Sequence, residues 1–521
     1  MSAHLSETKL GLLISACAFA LYAWTAAPTL TWGGGDSAKL ALWVHRGEIG
    51  HAAESHPLYV VLGRAFAALP LGGDLAYRLN LFSALCAALA VGAMFVLCGE
   101  VGRSLFGAAC ASVALALSHT FWLHAVLTEV YALHLLLLLS ALTCLLRWDR
   151  TGRDRALYLS AFLFGAGVAN HILIAWAVPG VGYFIWSRGK VAPHPPPSQA
   201  AKPLFPPPSP TRGGREGAGG GRGAVRLLIA GCLGASPLLY AIVRGASQLG
   251  LFSALRDVAG LGSAGHVSFH AERLPLYVAY LFYQFPAVGF ALGWAGLFRL
   301  FRRDRRIALA LTLIGVPYLL FPVVWDFRDH YQFALSFYAC FAVGIAPGVS
   351  ALRECPSGRR LDALTLGLLI ALPLITYASA PTLCRLLRID PVRARTLPYR
   401  DNARYFLSPS KRGDDGARRY GTEALRAVAP HAVLIGDYTP ALVLTYLRDV
   451  EGLRPDVDVR YTTTVQEQLR LIAEQIDRRT VYVATLEDRD LPASLYLRRD
   501  ALPPDYEIIP EPPVFRVVRK R

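Results

Sequence analysis

The stretch PTLTWGGGDSAKLALWVHRGEIGHAAESHPLYVVLGR, residues 28–64, lies between the first and second apolar segments of the chain. It is too long and too rich in ionisable side chains to be a plain turn between two membrane helices. Long connections of this kind commonly carry function. We therefore expect this stretch to contribute to a functional site, and Asp36 is the first candidate residue of that site.

The composition on both sides of this stretch indicates an integral membrane protein. The 521 residues are 54% hydrophobic and 17% charged, and the mean hydropathy is +0.37. The apolar residues form blocks of roughly the 17 to 25 residues that a membrane-spanning helix needs. This pattern predicts an α-helical polytopic membrane protein with about 11 transmembrane helices.

The net charge of +16 does not indicate a nucleic-acid partner. Residues 1–382 contain 29 basic and 17 acidic side chains, whereas residues 383–521 contain 24 and 20. The excess belongs to the apolar part, where short Arg-rich loops set membrane orientation. This rule places the N-terminus in the cytoplasm and predicts that residues 28–64 and the C-terminal region lie on the opposite, extracytoplasmic face.

Two domains are predicted. Residues 1–382 form a membrane-embedded domain, which contains a disordered, cytoplasmic Pro/Gly-rich linker at 191–223. Residues 383–521 alternate strand-like and helix-like segments, which predicts a small extracytoplasmic α/β domain. The end of its first strand, Gly436-Asp437-Tyr438, is a candidate for binding a ligand or for docking an acceptor.

On this topology many polar side chains gather on the extracytoplasmic face. Surface loops are polar in any protein, but Glu129 and His171 are embedded in apolar sequence, where ionisable groups are costly and tend to line sites. A carboxylate such as Asp36 can act as a general base, while Arg and His bind an anionic leaving group. Sugar transfer from a lipid phosphate needs both kinds of group.

Four sequence blocks resemble a large family of bacterial multispanning proteins, formerly a domain of unknown function. That family includes the animal endoplasmic-reticulum protein O-mannosyltransferase that acts on plexin-type receptors. The blocks are GGDSAKL (34–40) with HPLYVVLGRAFAALPLG (56–72), AYRLNLFSALCAALA (76–90), TFWLHAVLTEVYALH (120–134) and VANHILI (168–174).

The resemblance implies a GT-C-type glycosyltransferase with a polyprenyl-phosphate sugar, such as mannose, as donor. The acceptor is implied to be a hydroxyl of a protein Ser/Thr or of a glycan. In that architecture the first extracytoplasmic loop supplies the catalytic Asp, which maps onto Asp36. The implied location is a bacterial cytoplasmic (inner) membrane, with the bilayer as a partner and no nucleic acid.

The remaining candidate residues are assigned to substrate binding. Glu129 and Tyr131 are expected to position donor or acceptor, and Arg64, His56 and Arg328 to bind the donor phosphate. The full set is Glu129, Tyr131, His56, His51, Arg64, Asn170, His171, Arg328 and Asp329. No cofactor is expected beyond the lipid-linked sugar phosphate as co-substrate. Binding of a divalent metal is not excluded, because Asp and His are present, but the sequence contains no recognised spacing of metal ligands.

Two positions depart from the family pattern. Lys39 stands where a second acid is expected, and either His51 or His56 corresponds to the family's histidine. A transporter or flippase for lipid-linked sugars is the main alternative function, although the chain shows no two-fold repeat of its spans. A non-catalytic assembly scaffold is a third possibility if Lys39 marks an altered site.

Overall fold

The structure, a computed structural model, describes residues 2–33, 36–188, 221–260, 267–325, 330–389, 394–487 and 496–520. In the first half the helices are α1 (Ser2–Thr25), α2 (Asp36–Arg46), α3 (Pro57–Ala67), α4 (Leu75–Gly102), α5 (Leu105–Ala116), α6 (His119–Ala125), α7 (Tyr131–Thr151), α8 (Asp154–Asn170), α9 (Val178–Ser187), α10 (Gly221–Gly234), α11 (Ser236–Leu249) and α12 (Leu251–Val258). In the second half they are α13 (Arg273–Gln284), α14 (Val288–Arg303), α15 (Arg305–Val324), α16 (Leu335–Glu354), α17 (Asp362–Leu386), α18 (Asn402–Leu407), α19 (Gly416–Ala427), α20 (Tyr438–Asp449) and α21 (Val465–Gln475). The strands are β1 (Val433–Asp437), β2 (Asp458–Thr462), β3 (Val481–Val483), β4 (Tyr506–Glu511) and β5 (Val514–Arg519).

The long apolar helices make this an integral membrane protein. Among the described residues six helices are long and apolar enough to cross a membrane, and up to nine spans result if each of three bent helix pairs counts as one. The expected number of about 11 therefore stays a prediction. The apolar runs near 226–245 and 274–297 each predict one membrane span, but the structure has a bend of 74° between α10 and α11 and of 108° between α13 and α14.

The polar pair Asn170-His171 predicts a break in the long apolar run 156–186, and the structure confirms this break. Helix α8 ends at Asn170, His171 is extended, and a 3₁₀ helix over Ile172–Ala177 leads into α9. The polar pair interrupts the helix because the Asn and His side chains make hydrogen bonds outside it, as described below. The predicted linker at 191–223 lies outside the described residues except for its last three, which begin α10.

Glycines allow the closest helix contact in the membrane domain. Helices α14 and α16 cross where Gly293 and Gly296 meet Gly344 and Gly348. A Cβ on Gly296 would lie 1.7 Å from the Gly344 carbonyl oxygen, so only glycine permits this approach. Small residues at a spacing of about four are the usual means of bringing membrane helices together.

Part of the stretch at 28–64 is itself helical. In α2 the residues Ser37, Ala38, Leu40, Ala41, Leu42 and Val44 are buried. The other face of α2 carries Asp36, Lys39 and the C-terminal His45 and Arg46. Because this pattern has helical period, α2 packs on the membrane domain and presents polar groups away from it.

The C-terminal region contains the predicted α/β domain. Its five-stranded sheet has the order β2-β1-β3-β5-β4, with β1, β2 and β3 parallel. The three parallel strands and helices α20 and α21 were predicted from the sequence. Strands β4 and β5, which form an antiparallel hairpin, were not. The domain boundary at 382/383 stays a prediction, and α17 ends nearby at Leu386.

Polar contacts dock this domain on the membrane helices. The Trp32 indole N–H donates to the Pro398 carbonyl at 3.2 Å, and the Ala76 backbone N–H donates to the Tyr446 hydroxyl at 3.1 Å. Arg418 lies 2.8 Å from Asp74, the N-cap residue of α4. These contacts hold the carboxyl edge of the parallel strands over α2.

Candidate functional site

Asp36 lies where the two parts of the chain meet. It is the first residue of α2, where unpaired backbone N–H groups favour a negative charge. Its side chain is exposed. Its Oδ1 accepts a 2.7 Å hydrogen bond from the hydroxyl of Tyr438, the first residue of α20. The candidate base is therefore held between the N-termini of two helices.

Opposing influences set the pKa of Asp36. Loss of hydration among the surrounding protein groups raises its pKa above the ordinary value of 3.8, and the nearby Glu54 also raises it. The hydrogen bond from Tyr438 and the charge of Lys39 lower it without reversing the shift. A carboxylate that ionises at higher pH is a stronger proton acceptor.

Although Lys39 occupies the position where a second acid was expected, another carboxylate, that of Glu54, lies near Asp36. The Lys39 Nζ lies 3.4 Å from Glu54 Oε1 and 4.6 Å from the centre of the Trp43 ring. Glu54 belongs to the loop between α2 and α3 and is close enough to Asp36 to affect its ionisation. The loop, and not α2, therefore brings a second carboxylate to the neighbourhood of Asp36.

Four of the predicted residues line one cleft. His51, His56, Asn170 and His171 line a small open cleft where α3, α8, α11 and α12 meet. The His56 Nδ1–H donates to the Asn170 carbonyl at 2.8 Å, and the rings of His56 and His171 are 4.8 Å apart. His51 Nε2 lies 3.2 Å from Asp257 Oδ2 at the edge of the cleft. Both candidate histidines of the first loop thus reach the same place.

His171 and Asn170 present hydrogen-bonding groups in this cleft. The Leu173 backbone N–H donates to His171 Nδ1 at 3.2 Å, so the neutral ring carries its proton on Nε2. Asn170 is fully buried and donates through Nδ2 to the Val130 carbonyl at 3.2 Å. Its Oδ1 has no partner among the described residues. A ligand in the cleft would therefore meet the Nε2–H donor of His171.

Tyr131 is a neighbour of both this cleft and Asp36. Its ring centre lies 5.7 Å from that of His171 and 4.8 Å from that of His124. Both Glu129 and Asp36 are close enough to act on it electrostatically. Glu129 is buried, and its backbone N–H donates to Ser83 Oγ at 3.3 Å. Tyr131 therefore lies beside His171 of the cleft and within electrostatic range of Asp36.

The other predicted residues have different surroundings. Arg64 donates from Nη1 to the carbonyls of Val44 at 3.2 Å and His45 at 3.0 Å, at the C-terminal end of α2. Its guanidinium stabilises that helix end, and a contact with donor phosphate stays a prediction. Arg328 and Asp329 lie outside the described residues.

Two side chains at the site, those of His134 and Tyr438, were not predicted as site residues from the sequence. His134 in α7 has its ring centre 6.1 Å from that of His171, and its Nε2 lies 3.1 Å from Ser336 Oγ. The signal for His134 was its spacing of three residues from Tyr131, which puts both on one helix face. Tyr438 was predicted only as part of a strand end that could bind a ligand or dock an acceptor, and nothing local indicated a contact with Asp36. Asp437, noted with it, is instead buried against Arg395 at 2.8 Å.

Among the described residues no group of three or more His, Cys, Asp or Glu side chains is arranged to hold a metal ion. Metal dependence therefore stays a prediction to be tested. The chemistry that the described residues themselves offer is proton acceptance at Asp36 and hydrogen bonding in the cleft.

Part of the chain matches a known protein family. Residues 36–193 match the family model for the protein O-mannosyl-transferase TMEM260 N-terminal domain. That segment begins at Asp36 and includes every described residue predicted for the site.

The fold is similar to that of solved membrane enzymes. ArnT from Cupriavidus metallidurans, solved bound to undecaprenyl phosphate, has 12% sequence identity and a TM-score of 0.55, with coverage of 98% of this chain and 97% of that chain. The oligosaccharyltransferase of Archaeoglobus fulgidus in its apo form has 14% identity and a TM-score of 0.53, with coverage of 92% and 69%. Over residues 36–193 the chain is thus similar to a protein O-mannosyl-transferase domain, and its overall fold is similar to that of the ArnT enzyme and the oligosaccharyltransferase.

Proposed function

We propose that this protein transfers mannose from a polyprenyl-phosphate donor to the hydroxyl of a protein Ser or Thr on the extracytoplasmic face of a bacterial inner membrane. The observation that carries this proposal is the placement of Tyr131 beside His171 of the cleft and within electrostatic range of Asp36, in the segment that matches an O-mannosyl-transferase domain. This arrangement puts a proton acceptor in the neighbourhood of a cleft that contains a hydrogen-bond donor for a phosphate.

The reaction follows from these roles. Asp36 accepts the proton of the acceptor hydroxyl as its oxygen forms a bond to the anomeric carbon of the sugar. The bond from that carbon to the donor phosphate breaks, and its electron pair leaves with the polyprenyl phosphate. A single displacement, in which the acceptor oxygen attacks the face of the anomeric carbon opposite the leaving phosphate, inverts the anomeric configuration.

The cleft supplies hydrogen bonds to the leaving phosphate. Burial lowers the pKa of His56 to about 4, so this ring is neutral at pH 7 and keeps its Nδ1–H on the Asn170 carbonyl. It thereby fixes the loop against α8 and places His171, whose Nε2–H is the donor directed at phosphate oxygens. The lipid donor itself is supported by the undecaprenyl phosphate bound to the ArnT enzyme of similar fold.

An assay with labelled polyprenyl-phosphate mannose tests the proposal. Purified protein in lipid nanodiscs is incubated with this donor and a Ser/Thr-rich peptide, and both the released lipid phosphate and the labelled peptide are measured. We expect equimolar release and transfer, with an inverted glycosidic linkage. Binding without turnover would indicate a carrier or flippase, and neither binding nor turnover would indicate a scaffold. The proposal would be wrong in either case.

The His171→Ala variant tests the phosphate subsite. Loss of a hydrogen bond to a charged phosphate costs about 1.5–3 kcal/mol. We therefore expect kcat/KM for the lipid donor to fall by roughly 10-fold or more, because 1.4 kcal/mol corresponds to about a factor of ten. Donor titrations at saturating peptide measure this quantity.

His270→Ala is the matched control for this variant. His270 also lies on a connection between membrane helices, but its ring nitrogens lie 2.6 Å from Ser268 and 2.9 Å from Glu272, away from the cleft. This variant should keep the wild-type kcat/KM. Equal values for His171→Ala and His270→Ala would remove His171 from the phosphate subsite.

A further inference from the structure

We infer that Tyr438 is a positioning residue for Asp36, so that the C-terminal domain completes the catalytic centre of the membrane domain. The inference rests on the proposed role of Asp36 and goes beyond it. Tyr438 lies outside residues 36–193, the segment that the O-mannosyl-transferase family model covers. Its hydroxyl donates to Asp36 Oδ1 at 2.7 Å across 402 residues of sequence.

The position of Tyr438 is fixed from within the C-terminal domain. The preceding residue, Asp437, ends β1 and is the N-cap of α20, where its side chain accepts from the Thr439 backbone N–H at 3.3 Å. Asp437 is itself held by Arg395 at 2.8 Å, and both side chains are more than nine-tenths buried. A strand end and a helix start are thus locked together at the residue before Tyr438, and this leaves the backbone of Tyr438 little freedom.

The position of the helix that carries Tyr438 is fixed against the membrane domain as well. The Tyr446 hydroxyl accepts from the Ala76 backbone N–H at the start of α4. At the far end of α20, Asp449 pairs with Arg46 of α2 at 2.6 Å. Helix α20 therefore lies along α2 with contacts at both ends, and Tyr438 meets Asp36 as part of a rigid arrangement.

The hydrogen bond determines which carboxylate oxygen is left for chemistry. With Oδ1 accepting from Tyr438, Oδ2 is the oxygen directed toward an incoming hydroxyl. A free Asp side chain samples several rotamers, and holding one of them lowers the entropic cost of reaching the reactive geometry. The C-terminal domain therefore acts on the reaction through Asp36, without touching the sugar.

In the part of the chain that the structure describes, four titratable groups act on or respond to Asp36, and they decide how its pKa responds to a change at Tyr438. They are Tyr438 itself, Lys39 on α2, Glu54 in the following loop and Tyr131 at the start of α7. Tyr438 and Lys39 favour the ionised carboxylate, whereas Glu54 opposes it. Removal of the Tyr438 hydroxyl leaves the other three in place, so the pKa of Asp36 should rise.

The Tyr438→Phe variant tests the inference in the full-length protein. We expect kcat at pH 7 to fall about 10-fold, the usual effect of losing one hydrogen bond to a charged group. The KM for the lipid donor should not change, because Tyr438 lies away from the cleft. The acid limb of the pH–rate profile should shift to higher pH, since the base must be ionised to act and its pKa has risen.

Tyr446→Phe is the matched control. It also removes one hydrogen bond between α20 and the membrane domain, but not the one to Asp36. This variant should keep the wild-type acid limb and its kcat within about twofold. If both Phe variants have the same acid limb and the same kcat, Tyr438 acts only in docking and the inference is wrong.

An Asp36→Asn variant separates failure of the inference from failure of the proposed function. If Asp36→Asn keeps wild-type activity, Asp36 is not the base and the proposed function fails with the inference. If Asp36→Asn is inactive but Tyr438→Phe has a wild-type pH profile and kcat, only the inference fails.

Discussion

Asp36→Asn is expected to abolish sugar transfer while leaving the protein folded in the membrane. A positioned general base contributes about 10²- to 10⁴-fold to a rate, so the variant should retain at most about one hundredth of wild-type kcat. The amide keeps the size of the side chain and an oxygen that can accept from Tyr438, so the docking of the C-terminal domain should survive. Release of polyprenyl phosphate from labelled donor measures the effect.

Glu48→Gln is the control for this experiment. Glu48 lies in the same stretch of the chain, is exposed, and its only described ion pair is with Arg46 at 3.8 Å. It should behave as wild type in the transfer assay. Retention of more than about a tenth of the activity by Asp36→Asn would exclude Asp36 as the base.

Arg395→Met is expected to destabilise the C-terminal domain severely. The pair of Arg395 with Asp437 is 2.8 Å long, and the two side chains are 7% and 9% exposed. Removal of the Arg alone leaves a buried carboxylate without its counter-charge, which typically costs about 3–5 kcal/mol. That is a large part of the roughly 5–15 kcal/mol that stabilises an ordinary domain. Pulse proteolysis of the full-length protein in urea measures the loss.

Two further variants make this result specific. Arg470→Met removes an exposed pair with Glu474, 2.9 Å long and with side chains 76% and 47% exposed, and should change stability by less than about 1 kcal/mol. The double variant Arg395→Met, Asp437→Asn should recover part of the lost stability, because no unpaired charge is left buried. Equal stability of Arg395→Met and Arg470→Met would show that the buried pair does not stabilise the domain.

The same variant links stability to activity. Because Asp437 caps α20 immediately before Tyr438, the loss of its partner should loosen the hydrogen bond to Asp36. We expect Arg395→Met to lower kcat even at temperatures where the domain is still folded, and Arg470→Met to leave it unchanged.

Local sequence patterns predicted much of the fold. Apolar blocks of membrane length identified the helices, and the polar pair Asn170-His171 identified the break after α8. Alternating strand and helix signals identified β1, β2 and β3. The hairpin of β4 and β5 was missed because Pro510 lies within β4 and Pro512 and Pro513 lie in its turn, so β4 lacks the uninterrupted apolar run of the central strands.

The candidate site was predicted less completely. Asp36 and Glu129 were found as ionisable residues beside or within apolar sequence, and His51, His56, Asn170 and His171 indeed line one cleft. The sequence also drew attention to Lys39, but not to its pairing with Glu54. In the structure Arg64 contacts the C-terminal end of α2. From the sequence alone, a cation that stabilises a helix end cannot be distinguished from one that binds phosphate on the same face.

The sequence by itself determined a polytopic membrane protein with an α/β domain, a polar first loop and Asp36 as its candidate base. Hydropathy and periodicity are properties of neighbouring residues, so each helix, strand and break can be inferred where it occurs. Only the tertiary structure decided that Tyr438 donates to Asp36 across 402 residues of chain. That contact depends on how two separately folded surfaces dock, and no pattern within either segment encodes the other's position.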